Sequence, residues 1–197
     1  MNYQIMEMVN SGLVIRGANP RRNLPPRFSR KRTESNFLCA FERAYRTSVN
    51  PGGIVGRDLE VSGYGIADWV WIGWRRRATG EDATAYSLEK LPPSLRIHAF
   101  ELKISDWRRA LSQAFRYSYF ADRAIVVIPP QALRLARVHL DLFKRLRIGL
   151  WGFDSDSGRI RRVYTPRILK ARNEKAKARA VQLILRRIKF SQLRKKL

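Results

Sequence analysis

The chain of 197 residues is poor in cysteine, histidine and acidic residues. Its one cysteine, Cys39, excludes an intramolecular disulfide framework and any zinc cluster built on several thiolates, and it fits a reducing compartment. The two histidines, His98 and His139, have no metal-ligating residue at i+4, so each reads as structural. No stretch approaches the roughly 18 consecutive apolar residues of a membrane span. The opening MNYQIMEMVNSG carries Glu7 and no early Lys or Arg, so it does not read as a secretory signal. These absences point to the cytoplasm, or to association with the nucleoid in a bacterial or phage setting, and away from membranes. The scarcest feature is negative charge: 16 Asp plus Glu face 40 Lys plus Arg, a formal charge of +24. With 45% hydrophobic residues the chain is still apolar enough to build a core, which excludes disorder.

The positive charge is concentrated at two edges. Residues 16–32 hold seven basic residues and no acid, and residues 165–197 hold twelve against Glu174 alone, so 18 of the 24 charges lie there. Thirty of the 40 basic residues are Arg, whose planar fork matches phosphate oxygens. Polyanions are the implied partners, with nucleic acid first among them and DNA favoured over RNA. Arg21, Arg22, Arg27, Arg30, Lys31 and Arg32 on the first edge, Arg186 and Arg187 on the second, and Arg108, Arg109 and Arg116 between them are the candidate contacts.

Hydrophobic periodicity organises the middle of the chain. Residues 1–32, with the proline-rich ANPRRNLPPRFSRKR, read as an extended basic arm. A helix capped by Thr33 or Ser35 follows, with Phe37, Leu38, Phe41 and Tyr45 on one face. Strands are predicted over 54–61 and 65–74, then an insertion over 75–93, a strand over 95–104 and a helix from Ser105 to about Asp122. AIVVIP, 124–129, reads as a strand buried on both faces. One helix is predicted from Pro130 to Arg147, then a hairpin of 148–153 and 159–165, and a last basic helix from about Lys170 to Phe190. The sum is an α/β domain over 33–165, a central mixed β-sheet flanked by helices, with 166–197 as a C-terminal basic helix whose apolar stripe leaves a homodimer open.

Within that frame four ionisable residues stand out. Side chains alternate along a strand, so Glu101 and Lys103 of HAFELKIS share one face while Phe100, Leu102 and Ile104 take the other. Asp68 lies among strand-forming residues in GIADWVWIGW, and Glu42 borders the apolar face of the first helix. Carboxylates converging beside a lysine form an oxygen-rich site suited to Mg²⁺ or Mn²⁺. Asp154 to Gly158 looks superficially like a calcium loop but lacks the twelfth-position Glu, so it reads as a turn. Trp69, Trp71 and Trp74 read as packing residues.

The arrangement resembles the PD-(D/E)XK nuclease superfamily, with a restriction-endonuclease-like αβββαβ core. The matching elements are helical Glu42, Asp68 in GIAD, Glu101-Leu102-Lys103 as E-x-K, and Gln113 with Tyr117 as the Q-x-x-x-Y element of RecB-type nuclease domains. The resemblance implies a Mg²⁺-dependent (or Mn²⁺-dependent) deoxyribonuclease, endo- or exonucleolytic, leaving 5′-phosphates. It implies that Asp68, Glu101 and the Leu102 carbonyl hold the metal and that Lys103 acts on the attacking water and the transition state. Glu42 would hold a metal-bound water or second metal, and Gln113 and Tyr117 would contact the nucleotide beside the cut. A non-catalytic DNA-binding protein on the same fold, and a basic RNA-associated protein, are the alternative readings.

Overall fold

The computed structural model describes residues 14–15, 30–48, 54–73 and 95–193. Arg21, Arg22, Arg27, Trp74 and the 75–93 insertion lie outside them. The elements run β1 (Val14–Ile15), α1 (Arg30–Ser48), β2 (Ile54–Val61), β3 (Gly65–Gly73), β4 (Arg96–Leu102), α2 (Trp107–Tyr117), β5 (Arg123–Ile128), α3 (Pro130–Arg137), α4 (Leu140–Leu146), β6 (Gly149–Asp154), β7 (Arg159–Tyr164) and α5 (Glu174–Leu193). All strands join one mixed sheet of six substantial strands and the two-residue β1, in the order β1 to β7. β2, β3 and β4 form an antiparallel meander, β4, β5 and β6 are parallel, and β7 closes a hairpin on β6. Among the described residues no helix is long and apolar enough to cross a membrane.

The sheet separates two apolar layers. On one face α1 packs Phe37, Phe41 and Tyr45 against Trp69, Phe100 and Trp151, with Phe41 edge-on to Trp69 at 5.7 Å. On the other, α2 to α5 cover Val70, Ile97, Val126 and Leu150. β5 sits between them with Ala124 to Ile128 buried, as its continuous apolar run requires. Asp58 in β2 has a left-handed backbone, φ 51°. Val55 and Trp69 belong to the α1 side, whereas Leu59, Val61 and Ala67 belong to the opposite core. The β2–β3 hairpin thus changes face at Asp58 and Asp68, and its tip is secured where Tyr64 stacks on Tyr119 at 5.2 Å.

Five boundaries differ from those predicted, among them α2, which runs from Trp107 to Tyr117 rather than from Ser105 to about Asp122. α1 begins at Arg30, one turn earlier, because Arg30, Lys31 and Arg32 are good helix formers with no proline among them. β4 ends at Leu102 rather than Ile104, where its register with β5 ends. The helix predicted over 130–147 is two: Val138 and His139 break it, and the His139 ring stacks on Trp107 at 5.1 Å. α5 starts at Glu174 because Asn173 caps it, its Oδ1 accepting the Ala176 N–H at 3.0 Å, and 166–173 is an irregular strap before it.

Candidate functional site

The site forms where two strands part. The β3–β4 ladder runs from Gly73 paired with Arg96 to Trp69 paired with Phe100. Beyond that point the Leu102 N–H donates to the Asp68 side chain, Oδ2 at 2.8 Å, in place of a β3 carbonyl. The next N–H, of Lys103, donates the other way, to the Val127 carbonyl of β5 at 3.1 Å. Because the N–H and C=O of a strand residue point to the same side, the Leu102 carbonyl opens toward Asp68 as well.

Glu101 is fully buried. Its Oε2 lies 2.5 Å from the Tyr117 hydroxyl, and that hydroxyl also lies 2.5 Å from the Ile66 carbonyl of β3. A phenol has one hydrogen, and an ionised Glu101 and a carbonyl are both acceptors, so only one contact is then satisfied. A protonated Glu101 completes the chain: it donates to Tyr117, which donates to Ile66. Glu101 Oε1 is buried with no hydrogen-bond partner, and the Lys103 ammonium stands 3.3 Å away in ion-pair contact without hydrogen-bond geometry.

The electrostatics agree with this geometry. Burial and then the neighbouring Asp68 charge push the Glu101 carboxyl up to about 8, against the opposing pull of Tyr117 and Lys103. Burial raises Asp68 to about 6, against the Leu102 N–H and Lys103. For Lys103 the burial that would lower its pKa is outweighed by Glu101 and Asp68, and the net direction is upward. Two carboxyls that resist ionising together, beside an ammonium, are short of positive charge.

The structure therefore brings Asp68, Glu101, Leu102, Lys103 and Tyr117 together. Gln113, one turn before Tyr117 on α2, has a buried amide oxygen without a partner. Glu42 is engaged elsewhere: buried on α1, it accepts from Arg57 Nε at 2.7 Å and forms an ion pair with the same guanidinium. The acid of α1 whose charge reaches Asp68 and Lys103 is Glu34, three residues before Phe37. Its signal was its place one turn or so before the apolar face, at the end of the helix rather than its middle. Arg187 is turned inward, donating to the Arg57 and Asp58 carbonyls at 3.0 and 2.9 Å, so its guanidinium clamps the bend in β2 instead of facing a ligand. Arg108, Arg109, Arg116 and Arg186 are exposed, and Arg108 lies 4.4 Å over the Trp107 ring. Arg30, Lys31 and Arg32 lie in the first turn of α1.

Glu42→Gln breaks a partly buried pair and is expected to destabilise the protein by about 3 kcal/mol. A melt measures that loss. Any cleavage activity, assayed well below the melting temperature, should be retained, and its disappearance would return Glu42 to the site.

The donor set fits a hard divalent cation. Among the described residues no three His, Cys, Asp or Glu side chains converge. Asp68 and Glu101 lie close enough for their charges to interact, and Mg²⁺ is held by one or two carboxylates with the remaining positions left to water and other oxygens. The unpartnered Glu101 Oε1 and the mutual repulsion of Glu101 and Asp68 are what such a cation would relieve. Fold and site together define an α/β protein with a buried and a half-buried carboxyl group and a lysine at the splayed edge of two strands. No family model, curated protein or solved structure matches the chain.

Proposed function

We propose that the protein is a metal-dependent DNA nuclease of restriction-endonuclease-like architecture, related to the PD-(D/E)XK superfamily, that hydrolyses phosphodiester bonds to leave 5′-phosphates. The observation that carries this reading is the convergence of Asp68, Glu101 and Lys103 where β3 leaves β4. The order α1, β2, β3, β4, α2, β5 supports it, being the αβββαβ core of that architecture. The charge of +24 supports a polyanionic substrate.

Asp68, Glu101 and the Leu102 carbonyl would hold Mg²⁺ or Mn²⁺. When bound, the cation would supply Lewis acidity at the scissile phosphate and acidify a coordinated water. Tyr117, anchored on Ile66, fixes the Glu101 carboxyl. Lys103 orients the attacking water and neutralises charge on the phosphoryl oxygens in the transition state. Gln113 and the exposed arginines of α2 would position the substrate strand.

Labelled duplex, branched and single-stranded DNA incubated with Mg²⁺, Mn²⁺ or EDTA tests the proposal. Cleavage with either metal, none in EDTA, and product ends that a ligase joins without prior phosphorylation are the expected results. Binding without cleavage of any substrate would favour the non-catalytic DNA-binding reading.

A further inference from the structure

A second charged feature lies away from the carboxylates. A cavity of about 540 Å³ is walled by the turn after α2, the start of β5, the end of α4 and the strap of residues 166–172. Arg123, Arg145, Arg147, Arg167, Lys170 and Arg172 line it, and among the described residues its only acid is Asp122. Asp122 is already fully engaged, accepting from the Ile97 N–H and from the Lys177 ammonium, each at 2.8 Å. Of the six cations only Arg145 has an ion-pair partner among the described residues, the exposed Asp141 at 3.8 Å.

The backbone that carries the strap's cations is fixed to the domain, while their side chains are exposed at the cavity mouth. The strap is tied down by three backbone bonds: Leu169 N–H to the Asp122 carbonyl at 3.1 Å, Arg172 N–H to Ser118 at 3.1 Å and Asn173 N–H to Tyr119 at 3.0 Å. Arg172 also lies over the Phe115 ring at 5.0 Å. Arg147 takes the left-handed cap of α4, φ 58°, a position where glycine is the unstrained choice. Helix dipoles account for Arg145 and Arg147 at a C-terminus. They do not account for the strap, and Arg172 precedes an N-terminus, where cations are disfavoured. Like charges gathered in a concavity repel one another unless an anion joins them.

The cavity and the carboxylates are at opposite ends of the parallel strands. Arg123, at the cavity wall, pairs with His98, three residues before Glu101 and five before Lys103. At about 3.3 Å per residue the separation along the sheet is roughly 10 to 17 Å. That is roughly three to five nucleotide steps of a duplex strand at about 3.4 Å each.

We propose that this cavity is a second nucleic-acid contact, seating backbone phosphates several nucleotides from the bond that is cut. The anion site stands on its own geometry, and nucleic acid as its occupant rests on the function proposed above. The test measures DNA affinity against salt in EDTA for the full-length chain and for an Arg167→Ala, Lys170→Ala variant, whose exposed side chains carry no packing. Each lost phosphate contact removes about 0.9 from the slope of log K on log salt, so the slope should flatten by about two and affinity fall on the order of tenfold. Cleavage at saturating DNA should be unchanged. A Gln pair at the same positions serves if the Ala pair melts early. Unchanged affinity and slope overturn the proposal. Inorganic phosphate and a nucleoside monophosphate form the second arm. If they raise the melting temperature of the parent but not of the variant, while DNA affinity and slope stay equal, the cavity serves small phosphates and the nucleic-acid contact is overturned. A parent that binds DNA but never cleaves it, with the slope change intact, keeps this contact while the nuclease reading fails.

Discussion

Glu101→Gln is expected to abolish metal-dependent cleavage and to raise the melting temperature of the metal-free protein at pH 8. Glu101 has a folded pKa of about 8 against an ordinary value of 4.5, so its protonated form fits the fold and its ionised form does not. The stabilisation from this group is complete below the ordinary value and is lost as pH rises from 4.5 through about 8. Asp68, raised from 3.8 to about 6, adds a loss of the same sign over a lower window. Glutamine mimics the protonated acid, its amide donating to Tyr117 while Tyr117 donates to Ile66. At pH 8 in EDTA the variant should gain on the order of 3 kcal/mol, or roughly 5–10 °C in a domain of this size. At pH 4 the difference should vanish. Melting curves from pH 4 to 9 decide the matter: a variant that melts at or below the parent at pH 8 would mean that Glu101 is ionised and satisfied by Lys103, a structural ion pair.

Lys103→Met is expected to lower cleavage at saturating DNA and metal by about 10² to 10³-fold, with the fold intact. The aliphatic stem is half-buried, and methionine reproduces it, so packing changes little. What goes is the ammonium 3.3 Å from Glu101, the group placed to meet charge at the reacting phosphate. DNA affinity in EDTA should hardly move, since one charge of a strongly basic chain is lost. Single-turnover cleavage beside a circular-dichroism melt separates the two effects. Undiminished cleavage would leave Lys103 as a partner of Glu101 alone.

How far the chain announced this arrangement depends on the reach of each interaction. The two-faced burial of β5 was legible because AIVVI contains no polar alternative, and the shared face of Glu101 and Lys103 followed from strand alternation alone. Tyr117 was legible as a neighbour of Gln113 on α2, but not its grip on Ile66, 51 residues earlier. The break between α3 and α4 was hidden because 130–147 keeps a helical apolar stripe through it, and the His139–Trp107 stack exists only after α2 and α4 meet. Glu42 looked available because it borders the apolar face of the first helix. Its actual partner, Arg57, arrives from a strand whose course depends on the left-handed Asp58, a conformation that the residue tolerates but does not declare. Arg187 was read as a surface charge for the same reason, its acceptors being 129 and 130 residues away.

The strand order follows the chain order from β1 to β7 without a crossing. During synthesis, therefore, each strand that leaves the ribosome finds its partner already in place, and the sheet grows by accretion at one margin. The growing margin is hazardous while it is β5 or β6, since Ala124–Ile128 and Gly149–Phe153 are wholly buried in the finished protein and present apolar, unpaired edges until covered. The final strand ends the exposure. β7, Arg159–Tyr164, brings Arg159, Arg161 and Arg162 to the outer margin, and a row of arginines there repels a second chain that would continue the ladder. The same basicity that suits a polyanion thus also guards the last edge of the sheet against self-association.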